Sequence, residues 1–226
     1  MKRIYDEKLL KYYIEIFRIY DYLDGDILED MKLFKYEKGE VVYKENDKIN
    51  YFYFLVKGRL KIYVLQENGK KLLLRFNKPL AILGDLEYLN NYTIKTNVES
   101  LDSSLLIGID INVLREKTKD NIKFYRFIIK NLSHKLYTIS NSSSINLLYP
   151  VKNRFASYLV SVLDGTKKEI MTSNYIELAN LLGTSYRQLN RVINDLIENG
   201  IIIKENKEIK IIDYNKLKTL SKGLYK

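Results

Sequence analysis

The side chains in this sequence that could perform specific chemistry are concentrated in one short polar stretch. They carry guanidinium, amide and hydroxyl groups, and they are Ser185, Tyr186, Arg187, Gln188, Asn190, Arg191 and Asn194. An arginine can pair with guanine in the major groove, an asparagine or glutamine with adenine, and hydroxyls or amides with phosphate oxygens. These residue types therefore predict contacts with the base edges and the backbone of double-stranded DNA.

The residues before this stretch predict a short helix and a tight turn that would aim it. Asn174 and Glu177 have the spacing of a capping box at the start of the helix. Gly183 follows the helix where a left-handed turn residue is needed, and Ser185 with Gln188 has the spacing of a second capping box. The apolar side chains expected inward on the first helix are Ile176, Leu178, Ala179, Leu181 and Leu182. Two helices separated by so short a gap predict a helix-turn-helix.

The second helix is predicted over residues 185–198 and is followed by a hairpin. Its inward side chains are expected to be Leu189, Val192, Ile193, Leu196 and Ile197. Strands at Ile201–Lys204 and Glu208–Ile212 would pair across the three residues between them. An ordinary helical hairpin with a solvated polar face would explain the helices alone. The added strands favour a winged helix-turn-helix.

The composition agrees with a polyanionic partner and excludes several classes of protein. Half of the net charge of +10 falls within residues 150–226, although a biased gene composition would also raise the lysine content. The chain has no cysteine and one histidine, His134, which excludes disulfides, iron–sulfur clusters, zinc ribbons and a multi-histidine metal site. The sequence contains no nucleophile elbow for a Ser–His pair. We therefore expect no metal, no cofactor and no enzymatic activity.

Neither membrane insertion nor export is expected. No segment approaches the roughly 18 consecutive apolar residues of a membrane-spanning helix. Residues 1–6 mix charges without a hydrophobic signal segment. The sequence therefore predicts a cytoplasmic protein without a membrane partner.

Between residues 31 and 109 the apolar period shortens to two, which is typical of short strands. The expected strands are Leu33–Tyr36, Glu40–Tyr43, Tyr51–Val56, Arg59–Gln66, Lys70–Phe76 and Ser104–Ile109. Asn68-Gly69 predicts a hairpin turn between two of them. Strands of this length and order would pack as an antiparallel sandwich or jelly roll. One or two helices within residues 5–22 are expected to precede it. Gly84–Glu87 would open a short helical turn where a jelly roll could hold a small ligand.

After residue 109 the period lengthens again and predicts one long helix. Its apolar positions step by three and four, as in a coiled-coil seam, at Ile122, Tyr125, Ile129, Leu132, Leu136 and Ile139. Phe124, Phe127 and Ile128 lie beside the seam and can face the sandwich. This favours a parallel homodimer, and packing of the seam within one subunit is the alternative. Pro150 fits the first turn of a new helix, which makes residues 140–149 the expected hinge.

The order of these parts resembles the Crp/Fnr family of bacterial transcription regulators over nearly the whole chain. Val56–Lys61 looks like the family's glycine turn between sandwich strands, and Gly183–Arg191 is similar to its recognition-helix motif. Arg191 matches an arginine that the family uses on DNA. Tyr186 and Arg187 stand where the best-known member has Arg and Glu, so the resemblance implies a different target sequence.

The resemblance implies an α+β fold in three parts. These are N-terminal helices with a jelly-roll sandwich of the cyclic-nucleotide-binding type over residues 1–110, a dimerisation helix and hinge over 111–149, and a winged helix-turn-helix domain over 150–226. It also implies a homodimer that regulates transcription on double-stranded DNA, with RNA polymerase as a further partner. The effector of such a regulator is not identified by the sequence.

The ligand-binding segment departs from the cyclic-nucleotide-binding members. Gly84-Asp85-Leu86 matches their Gly-Glu-Leu approximately, and their phosphate-binding arginine falls near Ile94 or Lys95. An isoleucine cannot hold a phosphate, and a lysine offers a point charge without a bidentate fork. The alternative function is a sensor whose nucleotide-like ligand controls DNA binding. The residues that would bind it are Gly84, Asp85, Leu86, Lys95 and Thr96.

Overall fold

The computed structural model describes residues 1–23, 25–67, 69, 71–163, 169–171, 175–205 and 208–224, with the side chains of 138–147, 169–171 and 177 outside the description. The chain divides into two compact units. The first contains residues 1–62 and 77–137, and the second contains residues 63–76 and 138–226. The hairpin at residues 63–76 therefore groups with the C-terminal part of the chain. The domain boundaries expected at 110 and 149 stay predictions.

Short strands dominate the chain up to residue 110, and a long helix follows. In order, the elements are β1 (Lys2–Ile4), α1 (Glu7–Ile16), 3₁₀ turns at Ile19–Asp21 and Gly25–Asp30, β2 (Lys32–Tyr36), β3 (Val41–Tyr43), β4 (Tyr51–Lys57), β5 (Leu60–Leu65), β6 (Lys71–Asn77), β7 (Ala81–Leu83), α2 (Asp85–Asn90), β8 (Asn97–Ser100), β9 (Ser104–Asp110), α3 (Ile111–Lys117) and α4 (Ile122–Leu148). One sheet has the order β1-β2-β9-β4-β7 and another the order β3-β8-β5-β6. All six predicted strands are confirmed. The sequence pattern missed β1, β7 and β8, which have only three or four residues each.

Aromatic packing fixes the first half of α4 to the sandwich. Phe52 and Phe54 of β4 are fully buried, and β4 lies between β9 and β7 in its sheet. The ring centroids of Phe52 and Phe124 are 5.7 Å apart, and those of Phe54 and Phe127 are 6.0 Å apart. Burying an aromatic side chain of this size contributes roughly 1.5–3 kcal/mol. The prediction that this face of α4 packs against the sandwich is confirmed.

The turn between β4 and β5 requires glycine. Gly58 has φ of +88°, and a Cβ atom there would lie 2.3 Å from the Ser104 hydroxyl oxygen. Next to it, Arg59 Nε lies 2.8 Å from a carboxylate oxygen of Asp102, which ties the turn to the loop before β9. The glycine turn expected at Val56–Lys61 is therefore confirmed, for a steric and a conformational reason.

The second unit contains the expected helices and a three-stranded wing. Its elements are α5 (Val151–Val162), β10 (Glu169–Met171), α6 (Tyr175–Leu181), α7 (Tyr186–Glu198), β11 (Ile202–Glu205), β12 (Glu208–Ile211) and α8 (Tyr214–Ser221). The sheet order is β10-β12-β11. The sequence pattern missed β10 and α8. Asp213, whose side chain accepts a hydrogen bond from the Lys216 backbone N–H at 2.9 Å, is the capping signal that could have revealed α8.

Some expected features fall outside the description. These are Asn68 of the hairpin turn, the Asn174 cap, residues 206 and 207 of the wing turn, and the side chains of Glu177 and Ile139.

Candidate nucleic-acid interface

Helix α7 begins at a capped turn. Gly183 has φ of +62°, which reverses the chain after α6. Ser185 is the N-cap residue, and its hydroxyl accepts a hydrogen bond from the Gln188 backbone N–H at 3.2 Å. The second half of the predicted capping box is absent, because the Gln188 side-chain oxygen accepts from the Thr184 hydroxyl at 2.8 Å. The cap nevertheless fixes where the first turn of α7 starts.

The buried side of α7 is narrow and apolar. Leu189, Ile193 and Leu196 are completely or almost completely buried, as predicted. Ile197 lies at the edge of this stripe and is 37% exposed, so its predicted inward position is wrong. The predicted inward position of Ile176 on α6 is also wrong, because this side chain is 60% exposed. Steps of about 100° per residue place Ile176 on the side of α6 opposite the buried Leu178.

The predicted DNA-binding side chains lie away from that stripe. Ser185, Tyr186, Arg187, Gln188, Arg191 and Asn194 are exposed, and Asn190 is half-buried. At about 100° per residue, Arg187, Arg191 and Asn194 project on the side of α7 opposite Leu189. Tyr186 and Asn190 lie on one flank of this polar face, and Gln188 lies on the other.

Helix α5 supports both helices of the helix-turn-helix. The buried Arg154 guanidinium donates to the Leu182 carbonyl, where α6 leaves that carbonyl without a helical partner. Lys152 Nζ lies 2.6 Å from a carboxylate oxygen of Asp195 on α7. One element therefore contacts the end of α6 and the side of α7, which holds the angle between them.

The wing places basic side chains after α7. In the antiparallel pair β11–β12, Ile202 faces Ile211 and Lys204 faces Ile209. Lys204 Nζ lies 4.4 Å from the centre of the Tyr175 ring at the start of α6, within the range of a cation–π contact. The polar face of α7 and this wing form the candidate DNA-binding surface.

Two family models match this chain. The model of the cyclic nucleotide-binding domain matches residues 33–121, and the model of the Crp-like helix-turn-helix domain matches residues 153–220, so together they cover more than half of the chain. The chain belongs to the Crp/Fnr family. It is a DNA-binding transcription regulator, and the predicted α+β fold is confirmed.

Individual Crp/Fnr relatives are distant in sequence but similar along most of the chain. Regulatory protein YeiL of Escherichia coli O157:H7 is 24% identical over 182 residues, which are 80% of this chain and 82% of that protein. The transcriptional activator protein Anr of Pseudomonas aeruginosa is 23% identical over 197 residues, 83% of this chain and 79% of that protein. The solved structure of a Crp/Fnr transcriptional regulator from Eubacterium rectale has a TM-score of 0.76 at 16% identity, covering 87% of this chain and 92% of that one. This last likeness concerns the fold alone.

Crp/Fnr regulators dimerise, and the predicted seam on α4 is divided between solvent and the subunit's own core. Ile122, Ile129 and Leu136 are 67%, 60% and 68% exposed. Tyr125 and Leu132 are half-buried and pack partly against the core of the first unit. The exposed members are separated by whole heptads, so they form one line along the helix.

The residues expected to bind an effector do not all converge. Gly84 has φ of +93°, and a Cβ atom there would lie 2.8 Å from the Tyr43 hydroxyl oxygen. Asp85 is buried and pairs with Lys135 of α4, whereas Leu86 is exposed. Lys95 is exposed, with its Nζ 3.3 Å from the Thr93 hydroxyl oxygen, and Thr96 is half-buried. Effector binding at these positions stays a prediction.

An open groove of about 710 Å³ lies elsewhere in the first unit, between β1, α1 and β2. Its lining includes Arg3, Tyr5, Leu10, Lys11 and Lys32, and none of the predicted effector residues belongs to it. The sequence pattern missed this groove because β1 was not predicted.

No helix in the described part of the chain combines the length and apolar character needed to cross a bilayer.

Proposed function

We propose that two copies of this Crp/Fnr chain bind a two-fold-symmetric DNA site and place α7 of each copy in one of two successive major grooves. The observation that carries the proposal is the exposed polar face of α7, opposite the buried Leu189 and Ile193. A recognition helix needs an apolar side that packs against its own domain. It also needs an opposite side whose polar groups can form hydrogen bonds with bases in the DNA groove. Helix α7 meets both conditions.

The positions of the predicted DNA-binding residues on α7 suggest different roles for them. Arg187, Arg191 and Asn194 lie on its centre line, where a helix in the major groove approaches the base edges. Gln188 lies on the flank, and the Thr184 hydroxyl occupies its side-chain oxygen at 2.8 Å, which leaves the amide N–H groups for phosphate. Tyr186 and Asn190 border the opposite flank. Ser185 acts mainly through its cap, because its hydroxyl bonds to the Gln188 backbone.

The dimer proposal is supported by the exposed part of the seam. Ile122, Ile129 and Leu136 leave a line of large apolar side chains in solvent on an isolated chain. A second α4 in parallel orientation would bury this line as a coiled coil and would place two copies of α7 in a two-fold relation. The site that such a dimer reads is therefore pseudo-palindromic.

RNA polymerase is the further partner that we propose, since a transcription regulator acts on transcription through the polymerase. The chain is proposed to act without enzymatic activity and in the cytoplasm, where DNA and polymerase are found.

Selection of bound duplexes from a random pool tests the proposed function. We expect a consensus with two inverted half-sites whose centres are one helical turn, about 10–10.5 base pairs, or a whole multiple of it apart. In the same selection, the Arg187→Ala variant should no longer prefer one base at specific positions of both half-sites. The charge-matched control is Lys8→Ala on the exposed side of α1, which should return the wild-type consensus. An asymmetric consensus, or none, would contradict the proposal.

A further inference from the structure

A buried ion pair joins the predicted effector segment to the dimer helix within the first unit. Lys135 Nζ on α4 lies 2.6 Å and 2.7 Å from the two carboxylate oxygens of Asp85 on α2. The same ammonium donates to the Ile82 carbonyl at 2.9 Å. The side chains of Lys135 and Asp85 are only 15% and 4% exposed. This pair joins residues that are 50 positions apart in sequence, so it belongs to the fold and not to a local motif.

Hydrogen bonds hold the Lys135 ammonium in place. A lysine ammonium has three N–H donors, and Lys135 donates to both Asp85 carboxylate oxygens and to the Ile82 carbonyl. Burying two charges costs several kcal/mol per ion unless their hydrogen-bonding capacity is satisfied. The arrangement therefore meets the condition under which a buried ion pair holds two elements firmly. Loss of the Lys135 charge would leave the buried Asp85 carboxylate without this ionic partner.

Glu87 in the same segment also has hydrogen-bond partners within the protein. The Glu87 carboxylate is buried and accepts the Lys95 backbone N–H at 3.4 Å. Arg115 donates to the Glu87 carbonyl at 2.8 Å. A phosphate placed here would meet two buried carboxylates, Asp85 and Glu87, and like charges at short range in a poorly solvated site repel strongly.

We propose that Lys135 is a positioning residue for DNA binding and that it acts as an internal substitute for an effector. By clamping the start of α2 to α4, Lys135 holds the dimer helix in the arrangement that DNA binding needs, without an anionic ligand. The neighbouring Leu132 and Leu136 belong to the seam, so a shift of Lys135 would shift the seam as well. This inference rests on the proposed function, because it concerns the same dimer and the same DNA site.

The test uses the full chain and the duplex that the wild-type protein selects. Lys135→Met removes the charge while it keeps an unbranched side chain, and Lys135→Arg keeps the charge. The double variant D85N/K135M removes both charges and so leaves no unpaired ion in the core. The control is Lys61→Met, because Lys61 Nζ forms a 2.8 Å ion pair with Glu99 between β5 and β8 at similar burial, 14% and 18% exposed. Melting temperature and DNA affinity are measured for every variant.

We expect K135M and D85N/K135M to lose at least about fivefold in DNA affinity, the lower end of ordinary coupling between two sites. K135R should retain most of the affinity. K61M should lose melting temperature but keep wild-type affinity. Cyclic AMP, used as the anionic probe, should raise neither the melting temperature nor the DNA affinity of the wild-type protein.

Three results would overturn the inference. These are wild-type affinity in K135M and in the double variant, an equal loss of affinity in K61M, or an increase in wild-type DNA affinity on addition of cyclic AMP. Failure of the wild-type protein to select any duplex is a different result, since it would remove the proposed function itself and the inference with it.

Discussion

The guanidinium of Arg154 on α5 donates a hydrogen bond to the Leu182 carbonyl at the end of α6, in the interior of the DNA-binding unit. This contact satisfies a carbonyl that the helix leaves without a partner and fixes the residue before the Gly183 turn. Because α7 starts directly after that turn, the contact sets the angle at which the polar face of α7 is presented. A charged group buried in the core is therefore used to aim the DNA-reading helix.

Replacing Arg154 with Met should destabilise the protein. The carbonyl of Leu182 would stay buried without its donor, which costs roughly 1–3 kcal/mol. Urea unfolding should show this as a lower midpoint with an unchanged slope. The control is Lys152→Met, which breaks a half-exposed pair with Asp195 and should cost at most about 1 kcal/mol. Equal effects of the two variants would contradict the structural role of Arg154.

Arg187→Ala and Arg191→Ala should each weaken binding to the selected duplex. The expected loss is about 1–3 kcal/mol if the arginine reads a base, with little effect on non-specific DNA. Fluorescence anisotropy at several salt concentrations separates the two roles. A loss that is equal on all sequences, together with a shallower salt dependence, would reassign the residue to phosphate contact.

Charged substitutions in the exposed seam should break the dimer. Ile129→Asp and Leu136→Asp would each place two carboxylates against each other in a parallel coiled coil, at positions now apolar and exposed on the single chain. Analytical ultracentrifugation should find monomers for both variants at concentrations where the wild-type protein is dimeric. Ile16→Asp on α1, which is also an exposed apolar helix position, serves as the control and should stay dimeric. A dimeric L136D variant would show that the seam is not the interface.

The stability of Glu87→Gln should depend on pH differently from that of the wild-type protein. Burial, as the main cause, raises the pKa of the Glu87 carboxyl above its ordinary value. A group whose pKa is higher in the folded state contributes stability below its unfolded pKa of about 4.3 and loses it as the pH rises through the folded value. We therefore expect the wild-type protein to lose unfolding free energy relative to E87Q as the pH rises from about 4 to neutrality.

Urea unfolding of both proteins across this pH range measures the difference. The control is Glu37→Gln, because the exposed Glu37 carboxyl has its pKa lowered, chiefly by a hydrogen bond from Lys35. Its difference curve should have the opposite sign, since a lowered pKa adds stability as the pH rises. Parallel curves for the wild-type protein and E87Q would show that burial does not perturb Glu87.

Much of the fold was predictable because its signals are local. The alternation in residues 31–109 predicted six strands, and the caps and apolar period around Gly183 predicted the helix-turn-helix. The glycine turn at Val56–Lys61 was expected from the family resemblance, and the structure adds the steric reason for Gly58, the Ser104 hydroxyl. The exposure of Arg187 and Arg191 followed from the same periodicity that buried Leu189 and Ile193.

What the sequence could not predict depends on contacts between distant residues. The pair of Lys135 with Asp85 joins a helix and a turn that no local pattern connects. The Arg154 contact with Leu182 likewise spans 28 positions. Ile176 and Ile197 were assigned inward from their chemistry, but an apolar residue at the edge or back of a short helix need not be covered. The wing strand β10, of three residues, pairs with β12, which lies almost 40 positions further along the chain.

Methylation protection on the selected duplex tests the central claim most directly, because dimethyl sulfate modifies guanine N7 in the major groove and adenine N3 in the minor groove. The account predicts two clusters of protected guanine N7 atoms, about 10–10.5 base pairs or a whole multiple of that spacing apart. With the Arg187→Ala or Arg191→Ala variant at the same protein concentration, protection should weaken equally in both clusters. A single cluster, or protection confined to adenine N3, would contradict the claim that two copies of α7 read successive major grooves.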